Sequence, residues 1–443
     1  MRPIKRQILF EERAKTRAMM DLLFESAGLS FVADDMSASV KGHTANFEGN
    51  ANSLFTYSSP STKYIFNSAG LLVPGTTLRC DYDPVTLLPK GLLIEEQRTN
   101  LLVRSSELDN GSWTKSNASV TADQTTAPDG TSGADLVTEN TANSTHVVFN
   151  GFTATSGSTY TVSAFVKAGT QRYIGLRGED TDATAGVSYP WIMLDTQTGT
   201  IAANGAVTAS SVAALPGGWY RISLTYVAGI TGTNNLLLAG GTSSSAPATS
   251  SLGPSYVGTS QTFYVWGAQA EAGAFPTSYI PTAGSTVTRA ADTITLAVSA
   301  FPYAQATWTV DAWVNDAAAG GDRIIWSMDT GIQARRANPF RSAAGLATAY
   351  LNGATGGSGS AVLDNQNVGA GAFKQAIAYA VDDAAGVTNG GTPATDNSLT
   401  LGAFTTLRLG QSYAAATLLN GHLKTLRFVP RRRPNAELQS ITA

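Results

Sequence analysis

Cysteine is nearly missing from this chain: Cys80 stands alone in 443 residues, which excludes an intrachain disulfide framework. Charge is scarce as well. Asp, Glu, Lys and Arg together make 14% of the residues and the formal net charge is −3, so the cationic surplus needed for broad binding to nucleic acid or to anionic membrane is absent. No run of about 18 apolar residues occurs, and no membrane-spanning helix is expected. The three histidines, His43, His146 and His422, are too scattered to argue for a zinc cluster or a Ser/His/Asp constellation. There is no GxxxxGK[ST] phosphate loop. The acids form no recognisable ligand set, so neither a metal nor a cofactor is expected.

What the chain does have is glycine, 44 residues of it, alongside 43% hydrophobic residues and seven tryptophans spread from Trp113 to Trp326. That mixture is not a disordered tail; it suits β-rich domains with many turns. The length allows about three domains, each able to bury a core. At the N-terminus Arg2, Lys5 and Arg6 could open an export signal, but Glu11, Glu12, Arg13, Lys15 and Arg17 fall where its apolar stretch would have to be. Instead Ile4 to Ser26 predicts one helix, stopped by Gly28, with an apolar stripe (Ile8, Ala14, Ala18, Leu22) that its sequential neighbours leave uncovered. Attachment to a partner or self-assembly is the expected use of this segment, residues 1–28.

Residues 29–98 read as an extended lead-in with short strands, apolar pieces such as LSFV, TKYIF and LLVPG alternating with Asn, Ser and Gly runs. The lead-in ends in GLLIEEQRTNLL, Gly91 to Leu102, a short apolar strand with a dense polar edge that reads as a joint. Together with the preceding YDPVT and the later VWGAQAEAGAFPTSYIPTAGSTVTRAAD, Val265 to Asp292, it resembles a group of tailed-bacteriophage virion proteins. In that group the two phrases bracket a β-sandwich similar to carbohydrate-binding modules. The resemblance covers about Asp81 to Asp292. It implies a structural component of the virion, a head or tail fibre or decoration protein, docked on other virion proteins by its N-terminal region. It also implies a homo-oligomer, a trimer by the habit of such fibres, with host-surface glycans as the ligand.

Between the two phrases the hydrophobic period is two. TYTVSAFVK, RYIGLRG, GWYRISLTYVA and TFYVWGAQAEAG alternate apolar and polar residues and are rich in β-branched and aromatic types. With turn signals at PDG, TSGS and PGG, they predict an antiparallel, jelly-roll-like sandwich over residues 99–293. A second sandwich is expected over 294–443, from TWTVDAWVN, RIIWSM, FKQAIAYAV, LRLGQS and NGHLKTLRFVP, closed by a short helix after Pro434. In order it resembles concanavalin-like or laminin-G-like domains. The expected fold is therefore mainly β, two antiparallel sandwiches behind an N-terminal helix and an extended lead-in.

The chemistry expected is binding rather than catalysis, so the sequence predicts no enzyme. Glycan hydrolysis uses a facing carboxylate pair, and the adjacent acids, Asp180 with Asp182 and Asp382 with Asp383, sit in Gly/Ala/Thr-rich stretches that read as solvated turns. Sugar rings stack on exposed aromatic faces. Trp219, Tyr220 and Trp266 lie inside alternating strands and are expected in the core, whereas Tyr173 follows a turn and Tyr189 and Trp191 flank Pro190. Tyr173, Tyr189 and Trp191 are the candidate glycan contacts. Trp308 and Trp313 have opposite strand parity, so one should face in and the other out. Besides the virion protein, a secreted bacterial glycan-binding protein and a capsule depolymerase stay open at this point.

Overall fold

The computed structural model describes residues 29–32, 37–40, 43–46, 55–59, 61–75, 78, 80–180, 189–242, 255–300, 303–314, 322–332, 336–352, 361–368, 371–414 and 417–443. The helix expected over Ile4–Ser26 lies outside the described residues. Within them, the one α-helix is Asn435–Thr442, with Pro434 at its N-cap and Glu437 in its first turn, where fixed φ and the helix dipole favour them. The other regular structure among the described residues is antiparallel strand, apart from the short 3-10 turns Pro216–Gly218 and Val298–Ala300.

The first sandwich is two six-stranded sheets. The front sheet runs in the order Thr114–Ser116, Val147–Ala154, Gly232–Gly241, Tyr173–Asp180, Trp191–Asp195, Thr200–Gly205, and the back sheet in the order Ala118–Thr125, Ala134–Glu139, Thr262–Ala272, Thr159–Ala168, Trp219–Val227, Ala209–Ala214. The period of two decides what each strand buries. Val162, Ala164 and Val166 of the back sheet meet Ile174, Leu176, Ile192, Leu194, Leu236 and Leu238 of the front, each contributing about 1.5–3 kcal/mol for a fully buried large aliphatic side chain. Trp219 and Trp266 are buried as expected, but in a smaller cluster on the outer face of the back sheet. There they pack with Phe165, Tyr279 and Leu72, the last brought by the hairpin Lys63–Phe66 and Leu72–Gly75. Tyr220 is half-buried against the main core.

The second sandwich is built from two distant parts of the chain. Its ten-stranded sheet holds Ala306–Val314, Gly371–Ala380, Asp383–Thr388, Ala394–Asp396 and Gly421–Val429, but also Leu29–Val32, Ser37–Val40, His43–Asn46, Cys80–Tyr82 and Pro89–Ile94. The strand Gly421–Val429 shows why. One of its edges pairs with Ala306–Val314; the other is shared by Leu29–Val32, opposite Thr425 to Phe428, and Pro89–Ile94, opposite Gly421 to Leu423. In the eight-stranded sheet Thr56–Ser58 likewise pairs with Thr293–Ala297. Most of the short strands in the stretch 29–98 are thus laid into the sheets of the second sandwich, while the hairpin Lys63–Phe66 and Leu72–Gly75 forms its own small sheet against the first. Phe55, Leu78, Cys80, Leu92 and Ile94 belong to that core, and the lone cysteine behaves as a small buried hydrophobe. Trp308 faces inward against Trp326 and Phe428, with ring centroids 4.4 and 4.8 Å away, while Trp313 faces out with 38% of its surface exposed.

The segments Gly91 to Leu102 and Val265 to Asp292 close on each other. Glu95 accepts from the Ser278 backbone and hydroxyl, each at 2.7 Å, and pairs with the buried Arg289. Arg289 also donates to the Glu96 carbonyl at 2.9 Å. Asp292 accepts from the Glu95 backbone N–H at 2.8 Å and from Tyr57 at 2.9 Å, and pairs with Lys63. Asn100 satisfies four backbone groups, at Ala268, Ile280, Ala270 and Leu102. Glu96 reaches the second sandwich by a pair of bonds to the Asn420 side chain, both 2.8 Å. Burial pushes the Glu95 carboxyl up, but Arg289, Lys63 and the Ser278 bonds outweigh it and hold it below the ordinary carboxylate range. Gly273, at φ 143°, leaves room for the Arg98 guanidinium, which lies where a Cβ would stand; Arg98 in turn covers the Phe275 ring at 4.9 Å. Within the polar edge of GLLIEEQRTNLL, Glu95 and Arg98 are buried in the joint, Glu96 is half-buried and Gln97 is exposed.

Candidate functional site

The outer face of the front sheet carries the three aromatic residues predicted from sequence. Strand register lines up a row across it: Phe149 opposite Leu237, Leu237 opposite Arg177, Arg177 opposite Trp191, and Trp191 opposite Gly205. These residues alternate with Leu176, Ile192 and Leu236, which point into the core, so the row lies on the far side of the sheet. Gly205 is needed where it is, because the Trp191 indole occupies the space a Cβ would take. The indole is therefore held against the backbone of the edge strand and remains half-exposed.

Tyr189 comes onto the same patch through Pro190, whose carbonyl accepts from the Gly178 backbone at 3.0 Å and so fixes the approach to the strand. Its ring lies 4.4 Å from the buried Arg177 guanidinium, a stack worth about 0.5–2 kcal/mol. On the same face, Phe149 and Leu237 of the row join Val147 and Ala239 in an apolar bed. Tyr189, Arg177 and Trp191 thus make one platform of flat faces with a cation set into it.

Tyr173 does not join them. It pairs with Asp195, four residues along the strand from the Arg177–Trp191 pair, a separation of about 13 Å at 3.3 Å per residue. There the Arg172 guanidinium covers the Tyr173 ring at 4.9 Å and grips Asp195 through two bonds of 2.9 and 2.7 Å. That hydrogen bonding holds the Asp195 carboxyl below its ordinary value. Sequence reasoning picked out two residues of the platform and missed Arg177 and Phe149, although the alternation in RYIGLRG places Arg177 on the same face as Tyr173. The adjacent acids form no facing pair: the exposed Asp383, at the start of the strand Asp383–Thr388, pairs with Arg432 at 2.9 Å, and Asp182 lies outside the described residues.

No family model matches the chain, and no curated protein matches it. Solved structures similar to parts of it include the CBM40 of Ruminococcus gnavus IT-sialidase bound to α2,3-sialyllactose, at 14% identity and TM-score 0.28, covering 31% of this chain and 82% of that one. A leech intramolecular trans-sialidase is 15% identical at TM-score 0.28, over 31% of this chain and 23% of its own. The Trypanosoma rangeli sialidase is 9% identical at TM-score 0.28, over 74% and 62%. These neighbours correct the expectation that the chain is no enzyme, since sialidases and a trans-sialidase stand among them. Similarity at this level assigns no activity in its place.

Proposed function

We propose that the chain is a glycan-binding structural protein of a tailed-bacteriophage virion, attached by its N-terminal region and displaying its sandwiches outward as a homo-oligomer, a trimer by the resemblance. The supporting observation is the joint. The two phrases that resemble phage virion proteins pack against each other through Glu95, Arg289, Asn100 and Asp292, which keeps the first sandwich in a fixed relation to the second. Within that arrangement the Tyr189–Arg177–Trp191 platform is the glycan-contacting surface. A sugar ring offers an apolar C–H face to an indole or phenol and its hydroxyl oxygens to a guanidinium. Three such platforms on one stem raise avidity by about 10² to 10⁴ over a single weak site.

Mass spectrometry of purified phage particles from the source decides the location. The chain present in stoichiometric amount supports the virion reading; its presence in culture supernatant alone favours the secreted bacterial glycan-binding protein. Deleting residues 1–27 should abolish incorporation while leaving both sandwiches folded. Glycan-array binding that disappears on combining Y189A with W191A, at nearly unchanged Tm, supports the platform, and normal binding by the double variant places the ligand elsewhere.

A further inference from the structure

A second groove lies on the outer face of the ten-stranded sheet, far in sequence from the platform. One wall is the end of the C-terminal helix, Thr442 and Ala443; the other is the hairpin residues Pro89 and Lys90; the volume between them is about 500 Å³. The floor carries Trp313, an exposed tryptophan placed there by its strand parity. Register sets Trp313 opposite His422, and their rings are 5.6 Å apart.

His422 gives the groove its polarity. Its Nε2 meets the Asp81 carboxylate at 2.8 Å. Burial pushes the imidazole below its ordinary pKa, with Asp81 pulling the other way, while the His422 bond and charges, with Lys90, overcome burial and hold Asp81 low and ionised. An ionised carboxylate only accepts, so Nε2 bears the proton and Nδ1 is left a bare acceptor. That Nδ1 is buried and has no hydrogen-bond partner among the described residues. A buried acceptor without a donor leaves its desolvation uncompensated, and a ligand hydroxyl would remove that penalty.

The third feature is charge. Lys90, Lys374 and Lys424 line the groove, against Asp311. Lys374 donates to the Ala443 backbone oxygen at 2.7 Å and Lys90 lies 3.6 Å from Asp81. Lys424 is half-buried and, among the described residues, has no ion-pair partner. An exposed indole, an acceptor waiting for a hydroxyl and an uncommitted ammonium describe a ligand with a flat apolar face, hydroxyls and a negative charge.

We infer that this groove binds an acidic saccharide, its ring stacked on Trp313, a hydroxyl donating to His422 Nδ1 and its carboxylate on Lys424. The site is separate from the Tyr189–Arg177–Trp191 platform and does not rest on it. The test is calorimetric titration of the full chain with trigalacturonate and trimannuronate, beside neutral galactotriose. The uronates should bind at least tenfold more tightly than the neutral sugar. W313A and K424Q should each weaken them tenfold or more, W313F should recover most of the loss, and W191A should change nothing. Equal binding of acidic and neutral sugars, no binding of either uronate at millimolar concentration, or wild-type affinity in K424Q would overturn the inference. So would a loss caused by W191A alone. Should W313A fail to fold, K424Q and W313F carry the decision, because a half-exposed lysine and an aromatic exchange leave the sheet intact.

Discussion

The two sandwiches are assembled by different rules. The first takes all twelve strands of its paired sheets from one continuous stretch, Thr114 to Ala272. The second takes strands from both sides of it, closing Gly421–Val429 with Leu29–Val32 and Pro89–Ile94 and Thr293–Ala297 with Thr56–Ser58. The contiguous sandwich buries its main core without help, though Leu72 of the lead-in hairpin packs with Trp219 and Trp266 on its outer face. A composite one leaves backbone donors and acceptors bare along an apolar edge until the distant segment arrives, and such edges invite aggregation.

The largest test of that difference is truncation. A fragment of residues 99–293 should express as a soluble, cooperatively melting domain, whereas 294–443 alone should aggregate or lack a thermal transition, because it loses Phe55, Leu78, Leu92 and Ile94 from its core as well as its edge pairing. A well-folded 294–443 fragment would show that the lead-in strands are accessory. Next in size is the joint. R289A leaves the Glu95 carboxylate buried without its partner and should cost about 3–5 kcal/mol in denaturant unfolding. The combination E95Q with R289M should recover part of that, since both charges are then gone. If R289A costs under about 1 kcal/mol, the joint is not what couples the sandwiches.

Acid should act on the same place. The Glu95 carboxyl is held below its ordinary value of 4.5 in the folded chain, so the folded state binds this proton less readily than the unfolded state. Its contribution is fully present above pH 4.5 and is lost as pH falls through the lower folded value. Melting followed from pH 6 downward should show a fall in Tm below about pH 4.5 that is shallower in E95Q. The smallest stability effect belongs to the platform: W191A, at a half-exposed position beside the edge strand, should cost about 1–2 kcal/mol, below the 3–5 typical of a fully buried tryptophan. A loss of 4 kcal/mol or more would mean that Trp191 serves the core and not a surface.

Sequence alone was enough for four long strands of the first sandwich, for one of Trp308 and Trp313 facing in and the other out, for the helix after Pro434 and for the joint at GLLIEEQRTNLL. All of these rest on local signals, a period of two, a proline, a shift in polarity, that act over a few residues and need no knowledge of what packs against them. Only the tertiary structure decided that strands such as Leu29–Val32, Thr56–Ser58, Cys80–Tyr82 and Pro89–Ile94 complete the second sandwich. Strand pairing is set by backbone hydrogen bonds that carry no side-chain signature, and Leu29 opposite Phe428 leaves no trace in either segment. The same holds for the sites. Tyr173, Tyr189 and Trp191 looked equivalent in the sequence, yet register put Arg177 between Trp191 and Leu237 and left Tyr173 four residues away along the strand. His422 read as an isolated histidine because its partner, Asp81, stands 341 positions earlier, and distance along the chain says nothing about distance across a sheet.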